Sequence, residues 1–268
     1  SSLLFSVYSN VDYVIVGTEL GPTPTGIYWR AFQVGGVYQG KISQIMLSLA
    51  LPVYSRTRNL DEMRRMRRRV VQVHANVIFP LLATYVVLAP LLVPLVWGAP
   101  WAPAIVPSQI LSFLGMTFAL GTGTAAILVA AGHPRAVLVN NIVQVACYVA
   151  VVYAFAPDGL TTLCIAIVVL SATLYVGQYY VIMDRIAGIP IRQLWQEIRP
   201  ALVSMVPLFA CGIATVDALE GVRAPALATI AAGAIASLGA YAGCMRLFHR
   251  AAFDDLVLLF GRALRSGA

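Results

Sequence analysis

Apolar residues in this chain run in long unbroken blocks, separated by short polar or turn-forming segments. Eight blocks are predicted to cross a bilayer as helices, at roughly 1–17, 26–54, 70–97, 105–131, 137–156, 160–184, 200–217 and 225–246. A hydrocarbon layer takes about 20 helical residues to span. The separators carry turn chemistry, as at Gly21-Pro22-Thr23-Pro24, Gly98-Ala99-Pro100, Gly132-His133-Pro134, Pro157-Asp158-Gly159 and Gly188-Ile189-Pro190. The blocks are continuous, not alternating, which excludes a membrane β-barrel. The pattern predicts an all-α polytopic bundle of about eight spans, with residues 1–268 as one transmembrane domain.

Composition sharpens this picture. Of 268 residues 60% are hydrophobic and only 11% charged, with mean hydropathy +0.82; soluble domains carry about a quarter charged residues. A soluble globular fold, a disordered chain and a nucleic-acid-binding module are excluded. Cys147, Cys164, Cys211 and Cys244 all fall within apolar blocks without a CxxC pair and read as packing residues. The chain opens at Ser1 inside an apolar block with no signal peptide, so a piece of a longer protein is expected.

The net charge of +7 is distributed by side. Alternate loops hold the Arg56–Arg69 run, Arg135, Arg185, Arg192 and Arg199, and the tail adds Arg246, Arg250, Arg262 and Arg265. The opposite loops hold Arg223 beside Glu19, Asp158, Asp217 and Glu220. Lys and Arg concentrate on cytoplasmic loops, so both chain ends are expected in the cytoplasm. The Arg56–Arg69 run reads first as this topology signal and second as a contact for anionic lipid. Two stretches have the spacing of interfacial helices: Ile191, Leu194, Trp195 and Ile198, and then Phe253, Leu256, Val257, Phe260 and Leu264. Packing on a neighbouring helix is the alternative for each.

Charge inside the membrane is where function is sought, because it is costly there. Asp12, Arg30 and Lys41 fall within blocks. Asp12 and Arg30 each lie nine positions from Gly21, so a helical hairpin puts them at similar depth. They read as an ion pair, as an arginine reaching out to the interface, or as the mouth of a polar cavity. At about 100° per residue, Arg30, Gln33, Lys41, Gln44 and Ser48 share one face, with Gln39 and Ser43 off it. Such a stripe lines a wet lumen suited to an anionic cargo, or a buried contact. Asn141, Gln144 and Tyr148 share another face, as do Ser171, Tyr175 and Gln178; hydrogen bonding between helices is their commoner use, lining the same cavity the other. Pro80, Pro90 and Pro94, and Gly115, Gly121 and Gly123, are expected to bend helices or let them approach. No Walker A, HExxH or GxSxG pattern is present, and His74, His133 and His249 are scattered. No residues for catalysis, a cofactor or a metal are visible.

Residues Asn10–Gly17 with Asp12, then Glu19–Gly21, then Gly26, Tyr28, Trp29, Arg30 and Ala31 resemble the seventh-to-eighth helix hairpin of Wzx-type polysaccharide flippases, of the multidrug/oligosaccharidyl-lipid/polysaccharide exporter superfamily. Pro52, Tyr54, Ser55 and Arg56, followed by Asn59, Leu60, Asp61 and the arginine run, are similar to that family's exit from helix eight. The resemblance implies a fourteen-helix transporter of which this chain is helices seven to fourteen, with the first lobe absent. It implies translocation of polyprenyl-pyrophosphate-linked oligosaccharide units across the bacterial inner membrane, for lipopolysaccharide or exopolysaccharide synthesis, by alternating access. Arg30 and Lys41 would then meet the anionic head group, with Gln33, Gln44 and Asp12 lining the cavity. The implied partners are the lipid-linked oligosaccharide, membrane lipids and other polysaccharide-assembly proteins, with H+ or Na+ as a possible coupling ion. A multidrug or peptidoglycan-precursor exporter, a membrane transferase on lipid-linked sugars, and a non-transporting remnant are the competing readings.

Overall fold

A computed structural model describes residues 11–38, 40, 41, 43 and 60–254. These form α1 (Val11–Glu19), α2 (Pro22–Phe32), α3 (Leu60–Trp97), α4 (Ile105–Leu120), α5 (Thr124–Ala130), α6 (Pro134–Phe155), α7 (Leu160–Gln178), α8 (Ile191–Gly221) and α9 (Ala226–Phe248). Short irregular pieces complete them: π-helical turns at Gln33–Tyr38 and Tyr179–Met183, and a 3-10 segment at Ala99–Ala104. No strand occurs among the described residues. Six helical segments are long and apolar enough to cross a membrane: Asp61–Trp97, Ala99–Val129, Pro134–Phe155, Leu160–Ala187, Ile191–Gly221 and Ala226–Phe248. They match the last six predicted blocks, while the first two lie partly outside the described residues.

Three apolar clusters hold the helices together. Ile78, Phe79 and Leu82 of α3 meet Met116 of α4, Leu208 of α8 and Tyr241 of α9. Val16, Tyr28, Leu111, Val152 and Ile167 join α1, α2, α4, α6 and α7. Met63, Val71, Tyr179, Met183 and Leu194 close the arginine-rich end. Elsewhere apolar side chains point outward, as a lipid-facing surface does: Val139, Val206 and Ile235 are each more than half exposed.

The prolines of α3 show how the bundle keeps its backbone satisfied. Proline lacks the N–H that would bond the carbonyl four residues earlier, and hydrocarbon offers no water to replace it. Pro80 therefore releases the Asn76 carbonyl, and the Tyr241 hydroxyl of α9 donates to it at 3.4 Å and to the Asn76 Oδ1 at 3.3 Å. Pro90 releases the Val86 carbonyl, and the Gln109 Nε2 of α4 donates to it at 2.8 Å. α3 stays one helix of 38 residues through all three prolines.

Glycine does the complementary work of close approach. A Cβ on Gly35 would run into the Leu111 carbonyl of α4, and one on Gly115 would meet the Gly35 carbonyl. Backbones thus touch where the π-helical turn crosses α4. Past Gly115, α4 breaks at Gly121–Gly123, with Gly123 left-handed at φ 80°, and restarts as α5. Of the two expected surface helices, the stretch from Ile191 is continuous with its span in α8. Leu194 is buried and Ile198 packs on two clusters, whereas Trp195 is exposed, so packing on neighbours describes this stretch. In the second stretch Phe253 packs on the α3–α9 cluster, and Leu256, Val257, Phe260 and Leu264 lie outside the described residues.

Replacing Gln109 by Leu should lower stability by about 1 kcal/mol by orphaning the Val86 carbonyl. Adding Pro90→Ala should recover most of that loss, because the restored N–H takes the same carbonyl. Thermal unfolding in detergent reads both; a double variant no more stable than Gln109→Leu alone would contradict the assignment.

Candidate functional site

Asp12 sits in the first turn of α1, buried at 2% exposure. Its Oδ2 accepts the Tyr28 hydroxyl of α2 at 2.9 Å and the Tyr148 hydroxyl of α6 at 2.9 Å, and its Oδ1 accepts the Tyr13 backbone N–H at 3.0 Å. The two tyrosine oxygens are themselves 3.3 Å apart. The carboxylate therefore ties three helices at one point. Tyr28 is fully buried, and its ring meets Tyr13 and Phe32 at 5.6 Å and 6.0 Å.

Of the readings open for Asp12 and Arg30, the ion pair is not formed: among the described residues no salt bridge joins them. The side chains diverge around α2. Tyr28 occupies the face toward α1, while Arg30 turns toward the far end of α3. There its guanidinium carbon lies 5.1 Å from the Trp29 ring, 5.4 Å from Trp97 and 4.7 Å from Trp101. Three indoles cage one cation, an arrangement worth about 0.5–2 kcal/mol per ring by position. Its Nε is buried without a hydrogen-bond partner. No carboxylate among the described residues pairs with it.

The rest of the cationic stripe is altered by local helix geometry. The face computed from the sequence assumes a uniform helix, but Gln33–Tyr38 is π-helical and its wider turns slip the phase. Gln33 begins that turn and is half-buried, while Lys41, beyond it, is exposed. Arg30 and Lys41 thus share a helix path but not one environment. Ser43, placed off the stripe, accordingly faces α3, where its Oγ lies 2.7 Å from the Nε2 of buried His74. Gln44 and Ser48 lie outside the described residues.

The two weaker polar sets come together. Asn141, Gln144 and Tyr148 of α6 and Ser171, Tyr175 and Gln178 of α7 line a single cavity of about 360 Å³ against α4 and α5. Tyr148 is at once a cavity wall and a ligand of Asp12. Tyr175 spends its hydroxyl on the Leu120 carbonyl at 2.7 Å, where α4 breaks.

One buried charge pair escaped the sequence reading. Arg67 and Glu197 are 0% and 1% exposed, with Arg67 Nη1 3.6 Å from Glu197 Oε2 and 3.0 Å from the Tyr179 hydroxyl, which accepts from it. Its guanidinium also lies over the Tyr179 ring at 5.2 Å. Gln193 donates to the other Glu197 oxygen at 3.0 Å. Within the arginine run Arg67 looks like its neighbours, but Met63, Arg67, Val71, Ala75, Ile78 and Leu82 recur at helical spacing and are all buried. That stripe was the available signal. Arg64 works beside it, donating from Nε to the Ala187 carbonyl at 2.6 Å and from Nη1 to Asp61 at 2.7 Å.

Comparison with known proteins agrees with this architecture. A family model described as "Polysaccharide biosynthesis protein" matches residues 1–106, which hold Asp12, Arg30, Lys41 and the start of α4. Over 134 residues, half of this chain, the sequence is 25% identical to the "Teichuronic acid biosynthesis protein TuaB" of Bacillus subtilis. The matched region is 28% of that protein's length. No solved structure matches. Both similarities are to proteins described by polysaccharide biosynthesis, and the chain carries six helices long and apolar enough to cross a membrane among the described residues.

Truncating Arg67 to Met should destabilise the bundle by about 3–5 kcal/mol, since it strands a buried carboxylate. Pairing it with Glu197→Leu should restore most of that. Unfolding midpoints of the two single variants and the double give the coupling directly; additive losses would show that the pair does not interact.

Proposed function

We propose that this chain serves a flippase-type transporter, not an enzyme, that moves polyprenyl-pyrophosphate-linked oligosaccharide units across the cytoplasmic membrane for lipopolysaccharide or exopolysaccharide synthesis. The observation that carries this reading is Arg30. A cation within a membrane protein is normally matched by an acid, but the acid of its own hairpin, Asp12, is committed to two tyrosines. Indoles hold the guanidinium in place and leave its charge uncancelled. Such a group suits an anion that arrives and leaves. Guanidinium matches a phosphate with paired hydrogen bonds, and exposed Lys41 adds a second positive charge along the same path. Gln33 and Gln44 extend that path.

The energetics favour the direction. With the inside negative, each negative charge moved outward gains about 2.3 kcal/mol per 100 mV. Alternating access around this cationic path supplies the route, and the lipid-linked oligosaccharide is the partner it selects. Asp12 holds the helices at its side of the path, and H+ or Na+ is the candidate coupling ion. The similarity to a polysaccharide-biosynthesis family and to a protein named for teichuronic acid biosynthesis supports a sugar-bearing cargo.

Arg30→Ala and Lys41→Ala in the full-length protein should each lower surface polysaccharide about tenfold, the effect of one lost charge-assisted hydrogen bond. Normal export by both variants at normal protein level would reject the cation role. Collapsing the membrane potential should slow transport of a labelled lipid-pyrophosphate-linked sugar in proteoliposomes.

A further inference from the structure

Arg30, Gln33 and Lys41 do not line the cavity between α4–α5 and α6–α7, and the chemistry of its walls differs from theirs. Among the described residues, none of the side chains lining it carries a charge. Asn140, Asn141 and Gln144 enter from α6, and Ser171 and Gln178 from α7. None of these five makes a hydrogen bond within the described residues. Thr124 lines the same space, is 5% exposed, and its Oγ1 is buried without a partner. Thr124 is the buried one, Asn141 is exposed and the other four are half-buried, so four carboxamides and two hydroxyls turn unspent hydrogen-bonding groups to one accessible cavity. Something that both donates and accepts must meet them.

We infer that this cavity is a binding site for one uncharged sugar ring. A carboxamide offers a donor and an acceptor side by side, and a sugar hydroxyl needs both. Carboxamides and hydroxyls can turn either a donor or an acceptor to a ligand, but they bring no full charge to balance an ion taken from water. The ring faces of Tyr148, Tyr175 and Phe118 also line the cavity and suit the apolar C–H face of a pyranose. The volume of about 360 Å³ lies at the small end of ligand pockets, about 300–1,000 Å³. A single ring with a few waters fills it; an extended oligosaccharide does not. The choice of a sugar over another neutral polyol rests on the reading given under Proposed function, whereas the exclusion of charged ligands rests on the cavity alone. The site is thus a neutral-ring subsite, set apart from the place where Arg30 meets a head group.

The test uses full-length protein in lipid nanodiscs with its own cysteines replaced and Ser171→Cys as reporter. A water-soluble maleimide measures access, with glucose, N-acetylglucosamine or glucuronate as competitor. The reporter should react, either neutral sugar should slow the reaction several-fold, and glucuronate should not. Gln144→Ala should abolish the protection. Thr117→Cys, on the same wall, replaces the reporter if Ser171→Cys does not fold. Three results would overturn the proposal: no labelling, labelling that neither neutral sugar slows, or equal protection by glucuronate. Arg30→Ala should leave the protection intact. Loss of export without loss of protection, or the reverse, therefore tells failure of this inference from failure of the cation role.

Discussion

Hydrocarbon offers no hydrogen-bond partner, so every buried N–H and C=O of this bundle must find one within the protein. This constraint decides which side chains are where. The Tyr241 hydroxyl and the Gln109 carboxamide look like isolated polar residues on apolar helices, yet each sits against a carbonyl that a proline of α3 has released. The prolines let α3 be irregular in hydrogen bonding without breaking it. The neighbouring helices are held in register because only one position of α4 and one of α9 supplies the missing donor. Packing and backbone chemistry are the same problem here.

Charge obeys the same rule with three different solutions. Asp12 is neutralised in effect by tyrosine donors, Arg67 by a carboxylate and a phenol, and Arg30 by aromatic faces. The first two join three helices each and are closed to solvent. The third has no counter-charge among the described residues, and the role proposed for Arg30 rests on that.

Much of this was legible in the amino-acid pattern. Helix ends follow Gly21, Gly98, Gly159 and Gly188, four left-handed glycines that no other residue adopts easily. Counting along the hairpin grouped Asp12 with Arg30 but could not give their partners, because counting gives no azimuth: Tyr28, two residues before Arg30, takes the face toward Asp12. The stripe through Lys41 assumes a uniform helix, whereas Gln33–Tyr38 is π-helical, and such a turn has no reliable mark in sequence. Arg67 was hidden by its company, since four adjacent arginines obscure the one whose spacing matches the core. The cavity residues were grouped correctly by face, but pairing between helices and lining a void make the same pattern, and only the separation of α6 from α4 distinguishes them.

Tyr148 belongs to two neighbourhoods, and a phenol has a single proton to give. Asp12 takes it. That bond fixes where the ring of Tyr148 stands, so an acid on α1 sets the position of one wall of the cavity between α6 and α7.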